Sequence, residues 1–307
     1  LRKIPPERLH PSKKLVSIIE PQDENTPYAL HFEDGDTYHA DAVIGCDGIH
    51  SKVRQFVLDS TCPALCGGYW NTAGKLPRQQ ALARFGPDLL SPSDPKEVAL
   101  IGEGASVLFV PTENGEVYHV IVAGMADPEQ HPSSWKMAVE RSYLETALRQ
   151  WDVKMREALV ETLVPSPNGT CTILSHFESS DTPSYIRNRA CIIGDAAHAT
   201  IPWLGQGACM ATEDAAVLSS LLGLADSTTA LKIALKSFDA TRRGRPELVM
   251  SLSHQAAMIL TGQRGLNPES IEQFHAPQWW SEFWSLDADA HIQVAVDRFH
   301  QLSAQIA

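Results

Sequence analysis

Short apolar runs open the chain. Leu15 to Ile19, Tyr28 to Phe32 and Thr37 to His39 have strand texture, and Glu33-Asp34-Gly35-Asp36 supplies the Asp-Gly pair of a tight hairpin. A small β-meander is predicted. Ala42-Val43-Ile44-Gly45-Cys46 is apolar at nearly every position, as in a strand covered on both faces. From about Val57 the texture turns irregular and rich in Gly and Pro. Strand candidates return at Glu97 to Ile101, Val107 to Val110 and Val117 to Ala123, the last two joined through Glu113-Asn114-Gly115-Glu116. This pattern predicts an antiparallel sheet.

Trp135, Val139, Tyr143, Leu144, Ala147, Leu148 and Trp151 fall at helical spacing, with Ser133 or Ser134 as N-cap, and read as core. Cys171 to Leu174 predicts a further strand, and Ala190 to Ile193 returns to parallel-sheet texture. After Gly207, the stripe Ala208, Ala211, Ala215, Leu218 and Leu222 predicts a helix ending near Gly223. The remainder reads as helical, broken at Pro246 and around Pro268 to Pro277, and closes on an amphipathic helix marked by Ile292, Ala295, Val296, Phe299 and Leu302.

Nucleotide-fold texture thus occurs twice, at about 1–56 and 176–225, around a sheet-rich insert. The predicted fold class is α/β with an α+β insert: a partial Rossmann-like cofactor lobe, an inserted antiparallel-sheet lobe and C-terminal helices.

Composition narrows the function. The 307 residues, 43% hydrophobic, suffice for two packed lobes. A net charge of -12, with pI near 5.4, repels phosphate backbones, which argues against a nucleic-acid partner. Three of the six cysteines lie in apolar or tightly packed runs, so buried free thiols are expected. Cys62 and Cys66 lack a second ligand pair at zinc spacing, and no metal is expected. No run reaches the ~20 apolar residues of a membrane span, and the default expectation is a cytoplasmic protein.

Two segments carry candidate chemistry. In Asp47-Gly48-Ile49-His50-Ser51-Lys52-Val53-Arg54 a carboxylate stands at a strand end and an arginine follows in the next turn. Ligands of open α/β sheets sit at such ends, so Asp47 suits hydroxyls and Arg54 a phosphate; equally, Asp47 suits a helix cap. The run from Gly194-Asp195-Ala196-Ala197-His198 through Pro202 to Gly205-Gln206-Gly207 joins a strand to a helix. Asp195 is placed to accept from a ribityl or ribose hydroxyl, or else to cap a turn. Gly205 and Gly207 admit a flat ring, and the helix starting near Gln206 presents positive charge to an electron-rich one. A flavin fits these demands. His198 reads as a loop-packing residue rather than a proton donor.

These two motifs, 148 positions apart from Asp47 to Asp195, together with Glu213-Asp214-Ala215, resemble those of the class A FAD-dependent aromatic hydroxylases, and especially the salicylate-hydroxylase-like monooxygenases of fungal secondary metabolism. The resemblance covers most of the chain. It implies that Asp195 binds the FAD ribityl chain, that Gly205, Gln206 and Gly207, after Pro202, face the flavin pyrimidine, and that Asp47, Gly48 and Arg54 serve FAD and NAD(P)H. The implied activity is NAD(P)H- and O2-dependent hydroxylation of a phenolic or aromatic small molecule, with no catalytic residue assigned. It implies the units 1–56 (FAD-binding lobe, first part), 57–175 (substrate lobe), 176–235 (FAD-binding lobe, second part) and 236–307 (C-terminal helices).

The family pattern is not matched everywhere. No G-x-G-x-x-G strand-to-helix turn occurs, and the chain opens at Leu1, so the first βαβ unit is expected to be absent; Gly102-Glu103-Gly104 reads as a hairpin. Many relatives place an arginine before a glycine to hold an acidic substrate, where this chain has Ala73-Gly74, leaving Lys75 or Arg78 as the compensating cation. The competing expectations are a non-catalytic remnant of such an enzyme and a flavin oxidase that inserts no oxygen.

Overall fold

The structure, a computed structural model, describes residues 4–24, 26–127, 134–275, 280–281 and 284–305. The meander comprises β1 (Leu15–Ile19), β2 (Tyr28–Phe32) and β3 (Thr37–Ala40), with Gly35 at φ 89° in the Asp-Gly turn. β4 (Val43–Gly45) then feeds α1 (Lys52–Leu58), which Ser51 caps by accepting the Arg54 N–H.

β5 (Leu65–Pro77) and α2 (Arg78–Phe85) begin the insert, followed by β6 (Val98–Gly102), β7 (Ala105–Thr112), β8 (Val117–Met125), β9 (Lys136–Glu140), α3 (Arg141–Ala147), α4 (Val153–Leu163) and β10 (Thr170–Glu178). These strands form an antiparallel sheet in the order β6-β7-β8-β5-β10-β9. Alternate residues of β5 divide between its faces. Trp70 and Leu76 join the core under α2, α3 and α4, while Tyr69, Asn71, Ala73 and Lys75 lie on the opposite face. Gly74 lets α4 close on the sheet, since a Cβ there would stand 3.0 Å from the Thr162 carbonyl oxygen.

The chain then returns through β11 (Ile186–Arg187) and β12 (Ala190–Ile192) to a sheet ordered β11-β12-β4, in which β12 and β4 run parallel. α5 (Asp195–His198), α6 (Gly207–Leu222), α7 (Thr228–Arg242), α8 (Gly244–Leu260), α9 (Pro268–His275) and α10 (Ala288–Ala304) complete the described helices. A second core joins Tyr28, Val43, Val53, Cys191, Ile192, Val217, Phe238 and Phe299, so chain from both sides of the insert and from α10 packs together.

Several expectations need correction. The Gly-rich stretch after Val57 contains the 13-residue β5, at the centre of its sheet. The helical spacing from Trp135 is overridden up to Glu140, because β9 pairs along β10 from Lys136–Leu174 to Glu140–Thr170. The helix begins only at Arg141, and Ser133 lies outside the described residues. On α6 the buried face is Met210, Asp214, Val217, Leu218 and Leu221, whereas Ala208 and Ala215 are exposed. All six thiols are free, yet only Cys191 is buried. Positions 56, 175 and 235 lie within α1, β10 and α7.

Candidate functional site

The parallel pair sets the site. Ile192 stands opposite Gly45, and the Ile193 N–H donates to the Gly45 carbonyl at 3.0 Å, so both strands end side by side. Their loops, Cys46-Asp47-Gly48 and Gly194-Asp195, are therefore neighbours at the carboxyl end of the sheet, where α/β folds bind ligands. Gly194 turns the chain at φ 58°, ψ -142° into the single turn of α5.

Asp195 is exposed, and among the described residues its carboxylate has no hydrogen-bond partner. Asp47 differs. Its Oδ2 accepts the N–H groups of Lys52 (2.7 Å) and Val53 (3.3 Å), and the Ser51 hydroxyl donates to its Oδ1. Asp47 thus caps α1.

Arg54 is turned away from solvent. It is 1% exposed, and its guanidinium donates to the carbonyls of Ala196 (3.3 Å), Ala197 (3.0 Å), Ser180 (2.8 Å) and Asp181 (3.2 Å) and to the Thr182 hydroxyl (2.8 Å). Arg54 thus braces the turn that carries Asp195.

That turn is held from below as well. Asp214, fully buried on α6, accepts the Gly194 N–H (2.9 Å) and His198 Nε2–H (2.6 Å) on one carboxylate oxygen. Its other oxygen accepts Nε–H of the equally buried Arg242 at 2.8 Å. Arg242 also reaches Glu213 (2.9 Å), which Arg245 binds in turn. Burial pushes the Asp214 carboxyl up, but the hydrogen bond and charge of His198, with Arg242 and the Gly194 N–H, hold it below the ordinary carboxylate range. His198 is a packed loop residue, as its position suggested.

Beyond Ala199 the loop runs through a 3-10 turn, Pro202–Leu204, and Gly205 at φ 65° to the start of α6, which no side chain caps. The Ser253 hydroxyl on α8 fastens this loop by donating to the Ile201 carbonyl at 2.7 Å. Trp203 packs edge-on against Tyr69 (centroids 5.3 Å) and His176 (6.0 Å). The Tyr69 face of β5 is therefore the face turned toward this loop.

Gly48, Asp195, Pro202, Gly205 and Gly207 line one cavity of about 540 Å³, with Cys46, Ile193, Gly194, Thr200, Ala208 and Ala211. Asp47, Arg54 and Gln206 do not line it. Ala211 and Thr200 were missed because small side chains signal nothing until two strand ends are known to meet. A larger cavity, about 890 Å³, lies by Glu103, Asp127, Tyr143 and Gln263 and contains none of the expected residues. Lys75 shares the β5 face of Ala73, whereas Arg78 donates to the Pro92 carbonyl. Among the described residues no group of three His, Cys, Asp or Glu is placed to hold a metal, and no helix is long and apolar enough to cross a membrane.

Comparison with known proteins agrees with this geometry. The family model described as an FAD binding domain matches residues 5–253. The chain is 31% identical to an FAD-dependent monooxygenase of Aspergillus terreus, over 95% of this chain and 68% of the relative. It is 32% identical to the FAD-dependent monooxygenase pigN of Monascus ruber, over 93% and 67%, and 29% identical to the 6-methylsalicylate 1-monooxygenase atA of Aspergillus terreus, over 92% and 60%. Its fold is shared with a salicylate hydroxylase solved with substrate, at TM-score 0.78 and 23% identity over 92% of this chain and 70% of that one. This chain belongs to the FAD-dependent monooxygenases.

Proposed function

We propose that this enzyme hydroxylates a phenolic or other aromatic small molecule with NAD(P)H and O2, and that Asp195 holds the ribityl chain of its FAD. The observation that carries this reading is the contrast between the two strand-end carboxylates. Asp47 is spent on a helix N-terminus, whereas Asp195 has no partner among the described residues and lines a cavity beside two glycines. Gly205 has nothing within 4 Å of where a Cβ would project, so a flat ring can approach its backbone. The ribityl and ring end of FAD fits these residues.

When bound, FAD supplies the redox chemistry, taking reducing equivalents from NAD(P)H and activating O2. The protein's own part is positional. Asp195 accepts hydrogen bonds from the hydroxyls; Pro202, Gly205 and Gly207 form the ring wall; Gly48 closes the other side. The uncapped N–H groups at the start of α6 stabilise negative charge on the ring edge. Gln206 sets the entry to α6, and Asp47 and Arg54 act through the loop they hold. The substrate lies over the β5 face of Asn71, Ala73 and Lys75, with Lys75 as the cation for an acidic group. Relatives named for salicylate and 6-methylsalicylate support an aromatic substrate. The units 1–56, 57–175, 176–235 and 236–307 are the proposed lobes, supported by the two separate cores. The cytoplasm is the proposed location.

The test is a flavin absorption band in purified full-length protein, with NAD(P)H oxidation stimulated by phenols and one labelled oxygen atom from O2 in the product. Colourless protein overturns the reading, and unlabelled product makes it an oxidase.

A further inference from the structure

Asp214 touches neither the cavity nor any expected ligand, yet it is the most completely enclosed carboxylate of the site. One of its oxygens receives a donor from each end of the α5 turn, Gly194 N–H before Asp195 and His198 Nε2–H after Ala197. Four residues cannot hold a helical turn unaided. Both ends of the turn that presents Asp195 are thus pinned to one oxygen atom. The other oxygen is fixed by Arg242 Nε, and Arg242 Nη1 lies 3.0 Å from Nε2 of His291 on α10. Since a guanidinium only donates, that imidazole nitrogen is the acceptor. A chain of hydrogen bonds therefore runs from α10 through α7 and α6 to the cofactor turn.

We infer that Asp214 is the positioning residue for Asp195, and that His291 on α10 sets flavin affinity through Arg242 without touching the cavity. This rests on the proposed role of Asp195. It assigns the C-terminal helix a function besides covering the core, because its loss of one acceptor is felt where FAD binds.

The experiment compares Asp214→Asn, His291→Leu and His291→Gln in the full chain, with two readouts. Hydrogen exchange of the segment 191–200 is measured without flavin, and FAD affinity by quenching of flavin fluorescence. Expected are faster exchange and an FAD dissociation constant raised about tenfold or more in Asp214→Asn, and about threefold in His291→Leu. His291→Gln, which keeps an oxygen acceptor toward Arg242, restores both. Unchanged exchange in a cooperatively melting Asp214→Asn overturns the proposal, as does equal loss in the Leu and Gln variants, which would mark a general effect of disturbing α10. If Asp214→Asn does not fold, the His291 pair decides. If the unmodified chain takes up no FAD, the cofactor reading fails, while the exchange measurement still judges the clamp.

Discussion

Nη1 of Arg54 donates to the carbonyl oxygen of Ala197 at 3.0 Å, so the first motif of the chain reaches the Asp195 turn of the second through a buried arginine. Ser51 and Asp47 place that arginine by capping α1 one turn before it.

Replacing Arg54 with Ala removes the buried guanidinium that the Ser180, Ala196 and Ala197 carbonyls share and costs on the order of 3 kcal/mol in urea unfolding. Arg54→Lys recovers only part of this, because an ammonium cannot span Ser180, Ala196 and Ala197 at once. Full recovery by lysine would show that charge alone, not the guanidinium fork, is what the turn needs.

Asp195→Ala separates binding from stability. The carboxylate is exposed and without a partner among the described residues, so the flavin-free variant should melt within about 0.5 kcal/mol of the unmodified protein. FAD affinity should nonetheless fall at least about tenfold, as expected for losing a hydrogen bond to a charged group. A flavin-free melting shift as large as that of Arg54→Ala would make Asp195 a structural residue.

The sequence made local features readable. The Asp-Gly hairpin, the Glu113–Glu116 turn and the Gly102–Gly104 turn depend on neighbouring residues, and each turn occurs where its glycine takes positive φ. β5 and β9 were hidden because their stability comes from partners far along the chain: Gly67, Gly68 and Gly74 make β5 resemble a loop, and β9 is a strand only beside β10. The parallel pair and the Asp195 loop were legible as strand ends followed by glycine. The inward role of Asp214 was not, since an acidic residue in a helix ordinarily faces water, and its partner Arg242 lies 28 positions away.

Gly194→Ala tests how tightly the turn is built. At φ 58°, ψ -142° a Cβ is strained, and it would also stand 3.1 Å from the Ala211 Cβ. The expected loss is about 2 kcal/mol in urea unfolding. Adding Ala211→Gly should return only the steric share. Complete recovery in the double variant would show that the contact with α6, not the backbone conformation, demands glycine here.

The buried imidazole of His176 gives the stability a pH dependence of definite sign. Burial beside Trp203 pushes His176 down to about 4 from its ordinary value of 6.5, and among the described residues neither ring nitrogen has a hydrogen-bond partner. The unfolded chain therefore binds a proton that the folded chain refuses between these values. The contribution is fully present above about pH 6.5 and is lost as pH falls toward 4, amounting to about 3 kcal/mol across the window. His254 acts in the opposite sense. Its hydrogen bond to Glu178 at 2.8 Å raises it, so its contribution is present below the ordinary histidine value and fades as pH rises through the raised one. It is partly exposed and correspondingly weak. Asp214 and Glu213, both held below the ordinary carboxylate range, yield only at still lower pH. Between pH 6.5 and 4.5 the urea midpoint should thus fall mainly because of His176, and His176→Phe, which keeps an aromatic ring against Trp203, should flatten that slope. A variant that keeps the full slope would transfer the acid sensitivity to another buried group.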